Sequence, residues 1–437
     1  MTETFLQFAW RFCLFTTADF RTSRGEIITI KNEGFLNTDA GPDFLFAKIQ
    51  IGDTFWSGHV EIHIHASDWY KHNHHQDPAY DNVILHAVYY PDEEVISRSG
   101  APIPMLDLSS CVDMSYLHSY ENLLKQRDWI PCVSRIHQVD ESLRNVWIER
   151  LLVQRIEEKR EVLRNRLQLA KMDWTEMLYR TFARNFGFKV NAEAFEMLAI
   201  CLPYKLLASH RDSQFQLEAL LFGQAGMLEG LFSDSYPRVL QSEYLFLKKK
   251  YKLTGMSGSI WRYLRLMPAN FPSLRIAQFA ALLYHRPNLF ADIREWVDPQ
   301  EVFSALKVSA HEYWATHSGF DRKCKTRKIA LGKPSVENII INTVVPYIFL
   351  YANEIGTSDM SENGLALMQK CRPENNHIIR KWRKLGMTVP SAAQSQGYLE
   401  LYNNYCSQLK CLNCAIGAEI LRSPNKSAGI PSAQTAP

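Results

Sequence analysis

The chain has 437 residues, 46% of them hydrophobic and 22% charged, with a formal net charge of +3. That balance excludes a disordered or fibrous chain and fits two or three globular domains, while the mild charge permits a nucleic-acid partner without requiring one. Glu3 precedes the first apolar residues, no unbroken apolar run reaches the ~18 residues of a membrane span, and nine scattered cysteines suit a reducing compartment, so a cytoplasmic protein with no membrane partner is expected.

In chain order, Phe5 to Phe15 has apolar residues at helical spacing. Glu26–Lys31 reads as a strand stopped by Asn32-Glu33-Gly34, Leu45–Ile51 as a second, and Thr54–His65 as a third. Ser67-Asp68-Trp69 starts a short helix, Val83–Tyr90 forms a fourth strand, and Pro102–Leu108 fits an edge strand. Residues 1–112 therefore form an α/β domain, and 113–139 read as a linker. From 140 to 422 the pattern is helical, opening on a long amphipathic stretch from Asp140 to Ala170. Helices follow over Trp174–Phe186, Ala192–Leu207, Phe215–Leu231, Leu274–Tyr284 and Val336–Tyr351. Residues 423–437, rich in Ser, Pro and Ala, read as a flexible tail. The fold class expected is α+β, an α/β domain followed by a larger, mainly helical one.

The chemistry concentrates in the third strand. Side chains alternate along a strand, so His59, Glu61, His63 and His65 share one face. Such a face is costly to bury unless it is solvated, paired or metal-bound. Asp43, in Gly41-Pro42-Asp43-Phe44, enters the preceding strand and can approach Glu61 across a hairpin. Two carboxylates suit Mg²⁺ or Mn²⁺. Seven of the fourteen histidines lie between His59 and His86, which also suits zinc, iron or manganese. Asp81 and His86 join Asp43, Glu61, His63 and His65 as candidate ligands. The alternative is a surface strand face whose histidines pair with Asp68, Asp77 and Asp81.

Two further groups stand out. Cys406, Cys411 and Cys414 contain a Cys-x2-Cys pair, half of a zinc or iron–sulfur site. Cys371, Cys324 and His377 are candidates for a fourth ligand. The run Arg322–Lys328, with Lys323, Lys325, Arg327 and Lys328, can neutralise phosphates; so can Lys248–Lys252 and the stretch Arg372–Lys384, where Tyr251 and Trp382 are candidates to stack on bases.

The Pro-Asp and Glu-x-His pair, set on an αβββαβ order of elements, resembles the PD-(D/E)xK nuclease superfamily, with His63 at the position usually held by Lys. That resemblance implies phosphodiester hydrolysis with Asp43 and Glu61 as metal ligands and His63 in the lysine's role. Lys48 or Lys71 would supply a missing cation, and Glu3 or Glu33 the first acid. Some RecB-like members carry C-terminal cysteines for an iron–sulfur cluster. Across nearly its whole length the chain also resembles a bacterial family known only as a domain of unknown function. This resemblance rests on Asn37-x3-Gly41-Pro42-Asp43-Phe44, Ser67-Asp68-Trp69, His72-x-His74 and Asn270-Phe271-Pro272 among others. Two other functions stay open: a non-catalytic nucleic-acid- or protein-binding scaffold on a degenerate nuclease core, and a His-rich metalloenzyme acting on a small molecule.

Overall fold

The computed structural model describes residues 1–423, so the expected tail lies outside the described residues except for Ser423. The chain divides into two compact units, one of Met1–Trp147 with the segment from Leu401, the other of Ile148–Glu400. The segment from Leu401 thus folds with the N-terminal unit, whereas the sequence pattern grouped it with the helices before it.

Helix α1 spans Glu3–Arg11. Thr2 Oγ1 accepts the Phe5 amide hydrogen bond, Glu3 lies in the first turn and Arg11 in the last, an orientation that suits the helix dipole. The helix stops short of Phe15 because Cys13 adopts a positive φ of 49°. Its buried face carries Phe5, Leu6, Phe8, Ala9 and Trp10, and the Trp10 indole donates to Glu33 O at 3.1 Å.

The strands are β1 (Phe20–Arg21), β2 (Ile27–Asn32), β3 (Phe35–Leu36), β4 (Phe44–Ile51), β5 (Thr54–His65), β6 (Val83–Tyr90) and β7 (Met105–Asp107). They form one sheet in the order β1-β2-β4-β5-β6-β7, with β3 paired to β4. β2, β4 and β5 are antiparallel neighbours, whereas β6 joins β5 in parallel and β7 joins β6 in parallel. A parallel pair needs a crossover. Helix α2 (Asp68–Lys71) and the 3₁₀ turns His74–Gln76 and Pro78–Tyr80 supply it. Within this sheet the sequence therefore located the central strands and missed only the two-residue β1 and β3, which are too short to show alternation.

Two local features place the polar residues. β4 bulges between Phe44 and Ala47, with Phe46 at φ 58°, and Phe44 sits opposite Val60, which brings Asp43 beside Glu61. At Gly58 a Cβ would lie 2.4 Å from Ile84 Cγ2 and 2.5 Å from Asn82 O, so only glycine lets the start of β6 approach this closely.

The expected linker is folded. Helix α3 covers Met114–Leu124, capped by Asp113 Oδ1 from Ser115 N at 2.9 Å, and Leu117, Leu123, Ile130, Cys132 and Ile136 are buried. Met114, Leu117, Tyr120, Leu123 and Leu124 recur at helical spacing, so this helix was legible in the sequence although the region reads as a linker.

Helix α4 runs Glu141–Leu169, close to its expected span. In the second unit the helices Trp174–Phe186, Ala192–Cys201, Gln214–Gln224 and Pro272–His285 contribute Phe182, Phe186, Phe195, Phe222 and Phe279 to a common core. Pro203 separates Ala192–Cys201 from Tyr204–Ala208, dividing what the periodicity read as one helix. The stretch Lys333–Ile355 is long and apolar enough to cross a membrane, but 67% of its most apolar window is buried, as in a core helix.

Candidate metal centre

β5 delivers Glu61 and His63 to one face of the sheet, and both are buried at 4% and 1% exposure. Glu61 Oε2 accepts the Asp43 amide at 3.0 Å, and Asp43 Oδ2 accepts the Ile62 amide at 3.0 Å. These reciprocal bonds lock the two carboxylates side by side. Asp43 Oδ1 also accepts Gln7 Nε2 at 2.9 Å, from α1. The other Glu61 oxygen, Oε1, faces His63 Nε2 at 3.4 Å and His74 Nε2 at 3.3 Å.

The crossover after β5 closes over this point. His72 Nδ1 lies 3.2 Å from His63 Nε2, and His63, His72 and His74 each present a ring nitrogen within 4.8 Å of the others. His63 and His74 stack at 5.3 Å, and Tyr80 stacks on His74 at 3.8 Å. The buried Trp69 ring lies 5.4 Å from His74 and 5.5 Å from His86, forming an apolar wall. His72 is the exposed member of the trio.

His86, on β6, contributes from behind. Its Nε2 lies 2.8 Å from His63 Nδ1, whereas its own Nδ1 is buried without a protein partner. Burial, reinforced by the neighbouring histidines, pulls the pKa of His63 down to about 2 and that of His86 down to about 3, so both are neutral. His63 Nδ1 is thus engaged by His86, and His63 Nε2 faces Glu61, His72 and His74; with the proton on Nδ1, Nε2 would be free to ligate a metal.

The carboxylates respond in the opposite direction. Burial pushes Asp43 up to about 8, with the Glu61 charge adding to the effect, and pushes Glu61 up to about 8, with Glu3 adding. Glu3 is itself raised, mainly by burial, and lies within electrostatic reach of His72, His74, Asp43 and Glu61. Without a cation, burial keeps the close Glu61–His63 contact neutral on both sides. A divalent cation would favour ionised carboxylates and retain neutral imidazoles. The three imidazoles therefore fit such an ion, with Glu61 Oε1 beside His63 and His74; Asp43, expected as a ligand, has its oxygens on Gln7 and the Ile62 amide instead.

Several expected members lie elsewhere. Asp81 is exposed and paired with Arg98, whose Nε donates to it at 3.0 Å. His65 is exposed at the end of β5, stacked on Tyr90 and 3.7 Å from Asp92. His59 accepts the Phe46 amide at 3.3 Å beside the bulge. Lys48 is exposed and Lys71 bonds Asp68 at 2.6 Å, so neither supplies a cation to the cluster. The surface-pairing alternative also fails in its details, because Asp68 bonds Lys71 and the His65 amide, Asp77 caps Ala79, and Asp81 holds Arg98. Glu3, rather than Glu33, is the acid of α1 that reaches the site. Glu3 and Gln7 are one turn apart, a spacing that could have paired them from sequence. His72 and His74 belong to the histidine-rich segment and to the residues that carry the family resemblance, but they follow no period that would place them over Glu61 and His63.

The basic run after residue 321 is a short hairpin in the second unit, with β-ladder pairing between His317–Gly319 and Arg322–Lys323. Lys323, Lys325 and Lys328 are exposed. Arg327 is not a free cation: its guanidinium donates to Trp314 O at 3.1 Å, to Pro268 O at 2.7 Å and to His317 O. Trp382 is fully buried and cannot stack on a base, and Tyr251 is bonded to His210 at 2.9 Å.

Fold and site together define an α+β protein whose N-terminal unit carries three histidines close enough together that they could hold a metal ion. The chain belongs to the family described as "Protein of unknown function (DUF2851)", which matches residues 3–377. No match is found among curated proteins or among solved structures.

Proposed function

We propose that the N-terminal unit is a divalent-metal-dependent hydrolase acting on phosphodiesters, a nuclease of the PD-(D/E)xK kind. The observation that carries this reading is the convergence of Asp43 and Glu61 with three imidazoles beside a helix that contributes Glu3. The element order supports it: a helix, an antiparallel run β2-β4-β5, a short helix, then the parallel strand β6.

A bound divalent ion would lower the pKa of a water and offset charge developing on phosphoryl oxygens. The chain's own residues do the rest. Gln7 and the Ile62 amide hold Asp43 in place to take a proton from water. His86 engages His63 Nδ1. Trp69 and Tyr80 exclude solvent from one side. Three imidazoles shift the metal preference from Mg²⁺ toward Mn²⁺, Zn²⁺ or Fe²⁺. The same trio supports the second reading, a metalloenzyme acting on a small molecule.

The test is cleavage of single- and double-stranded DNA and RNA with Mg²⁺, Mn²⁺ or Zn²⁺, by the wild type, Asp43→Asn and Glu61→Gln. Metal-dependent cleavage lost in both variants is the expected result. Bound metal without cleavage of any nucleic acid would overturn the nuclease reading and leave the small-molecule one. Metal-independent binding of nucleic acid without turnover would indicate a scaffold.

A further inference from the structure

We propose that Cys132, Cys406, Cys411 and Cys414 are the thiolate ligands of a second metal centre, built wholly within the N-terminal unit. The inference is independent of the hydrolase reading. Three separate pieces of chain bring these residues together. Cys132 sits in a turn whose carbonyl accepts Arg135 N at 3.0 Å and Ile136 N at 2.9 Å. Arg135 Nη2 donates to Ile420 O at 2.8 Å and Ser423 O at 3.3 Å, which pins that turn to the C-terminal segment. Cys406 ends the π-helical stretch Leu401–Cys406, and Leu409 at φ 56° reverses the chain toward Cys411. Cys411 opens a 3₁₀ turn, and Cys414 is the N-cap of the helix Ala415–Arg422. A Cβ at Gly417 would lie 2.2 Å from Cys411 O, so this glycine lets the helix seat directly on the Cys411 turn.

All four side chains are buried, with exposures of 6–8%. They are free thiols, although they account for four of the chain's nine cysteines. They lie within electrostatic reach of one another. After burial, which dominates, Cys414 and Cys411 raise Cys132; Cys414, Cys132 and Cys411 raise Cys406; and Cys414 raises Cys411. Cys414 caps the helix Ala415–Arg422, and its thiol is likewise raised by burial, an effect that the Ile416 and Gly417 amides and the Trp147 indole oppose. A cation compensates a group of thiolates out of water.

Cys371, Cys324 and His377 belong to the other compact unit, so Cys132 takes the fourth place that sequence spacing left open. The sulfurs are set more openly than the imidazoles: three ligand atoms within 4.8 Å of one another occur at His63, His72 and His74, not among these cysteines. A single zinc with sulfur at about 2.3 Å must draw its thiolates together, whereas an iron–sulfur cluster is wider.

The experiment is elemental and sulfide analysis of the full-length protein purified without oxygen, for the wild type, Cys132→Ser, Cys371→Ser and a His72→Ala/His74→Ala double variant. X-ray absorption at the metal edge follows on the double variant, whose remaining metal is that of the thiol site. The expected result is near-stoichiometric metal with sulfur ligation that survives in the double variant and in Cys371→Ser, and a metal content in Cys132→Ser below that of the wild type by the amount the double variant retains. Zinc with four sulfurs identifies a structural zinc site, and iron with inorganic sulfide identifies a cluster. Full metal retention in Cys132→Ser, a first shell without sulfur, or no metal in the double variant overturns the proposal. If Cys132→Ser does not fold, the absorption spectrum decides. Failure of the hydrolase reading would leave the metal content of the double variant and its sulfur ligation unchanged.

Discussion

Glu61→Gln separates the cost of the cluster from its use. Glutamine keeps the side-chain volume and an oxygen for the Asp43 amide bond, but it cannot ionise. In the wild type without metal, the carboxyl pKa rises from an ordinary 4.5 to about 8 on folding. Below pH 4.5 the group is protonated whether the chain is folded or not, and it costs nothing. Between 4.5 and 8 the unfolded chain releases the proton while the folded one retains it, so stability falls as pH rises. The full penalty is reached above pH 8. At about 1.4 kcal/mol per pH unit the ceiling is roughly 5 kcal/mol, and an unfolded state with residual structure reduces it, so about 2–5 kcal/mol is expected. Urea unfolding in EDTA should therefore show Glu61→Gln more stable than wild type at pH 8.5, with an advantage about 1–3 kcal/mol larger than at pH 5.5. Added Mn²⁺ or Zn²⁺ should shrink that advantage. Wild type gains about 2.7 kcal/mol at a hundredfold excess over Kd, and the variant gains little. A variant less stable than wild type at pH 8.5 in EDTA, or one with an undiminished response to metal, would refute the reasoning.

Other consequences are as direct. His86→Phe should leave the fold intact and weaken metal binding about 10–100-fold in calorimetry, because His63 loses the partner that engages its Nδ1. Gly58→Ala should lower stability by about 2–3 kcal/mol in thermal unfolding, since the added methyl meets Asn82 O at 2.5 Å. Arg327→Ala should cost about 1–3 kcal/mol by freeing three carbonyl acceptors. In contrast, Lys323→Ala, Lys325→Ala and Lys328→Ala should leave the melting temperature unchanged and show any effect only as salt-dependent nucleic-acid binding.

Alternation and periodicity are local properties, and where burial is one-sided they can be read directly. For that reason the central strands β4, β5 and β6 and the helices Glu141–Leu169 and Trp174–Phe186 follow the pattern of the chain closely. The pairing of Asp43 with Glu61 was also legible, because a short hairpin leaves little freedom in where the two residues meet. Within 113–139, the helix α3 carries a helical period, whereas the buried Ile130, Cys132 and Ile136 beyond it answer to neighbours distant in sequence.

The sequence alone thus determined the α+β class, the strand face bearing Glu61 and His63, and the suspicion attached to the C-terminal cysteines. Only the tertiary structure decided which histidines converge. His65 and His63 share a strand face, yet one is exposed and the other 1% exposed, because His72, His74 and His86 pack around His63 while His65, the last residue of β5, lies beside Tyr90 and Asp92 at the surface. It likewise brought Glu3, His72, His74 and Cys132 to their places. Each reaches its site across a chain reversal, where the distance between side chains is set by packing and no longer by spacing along the chain.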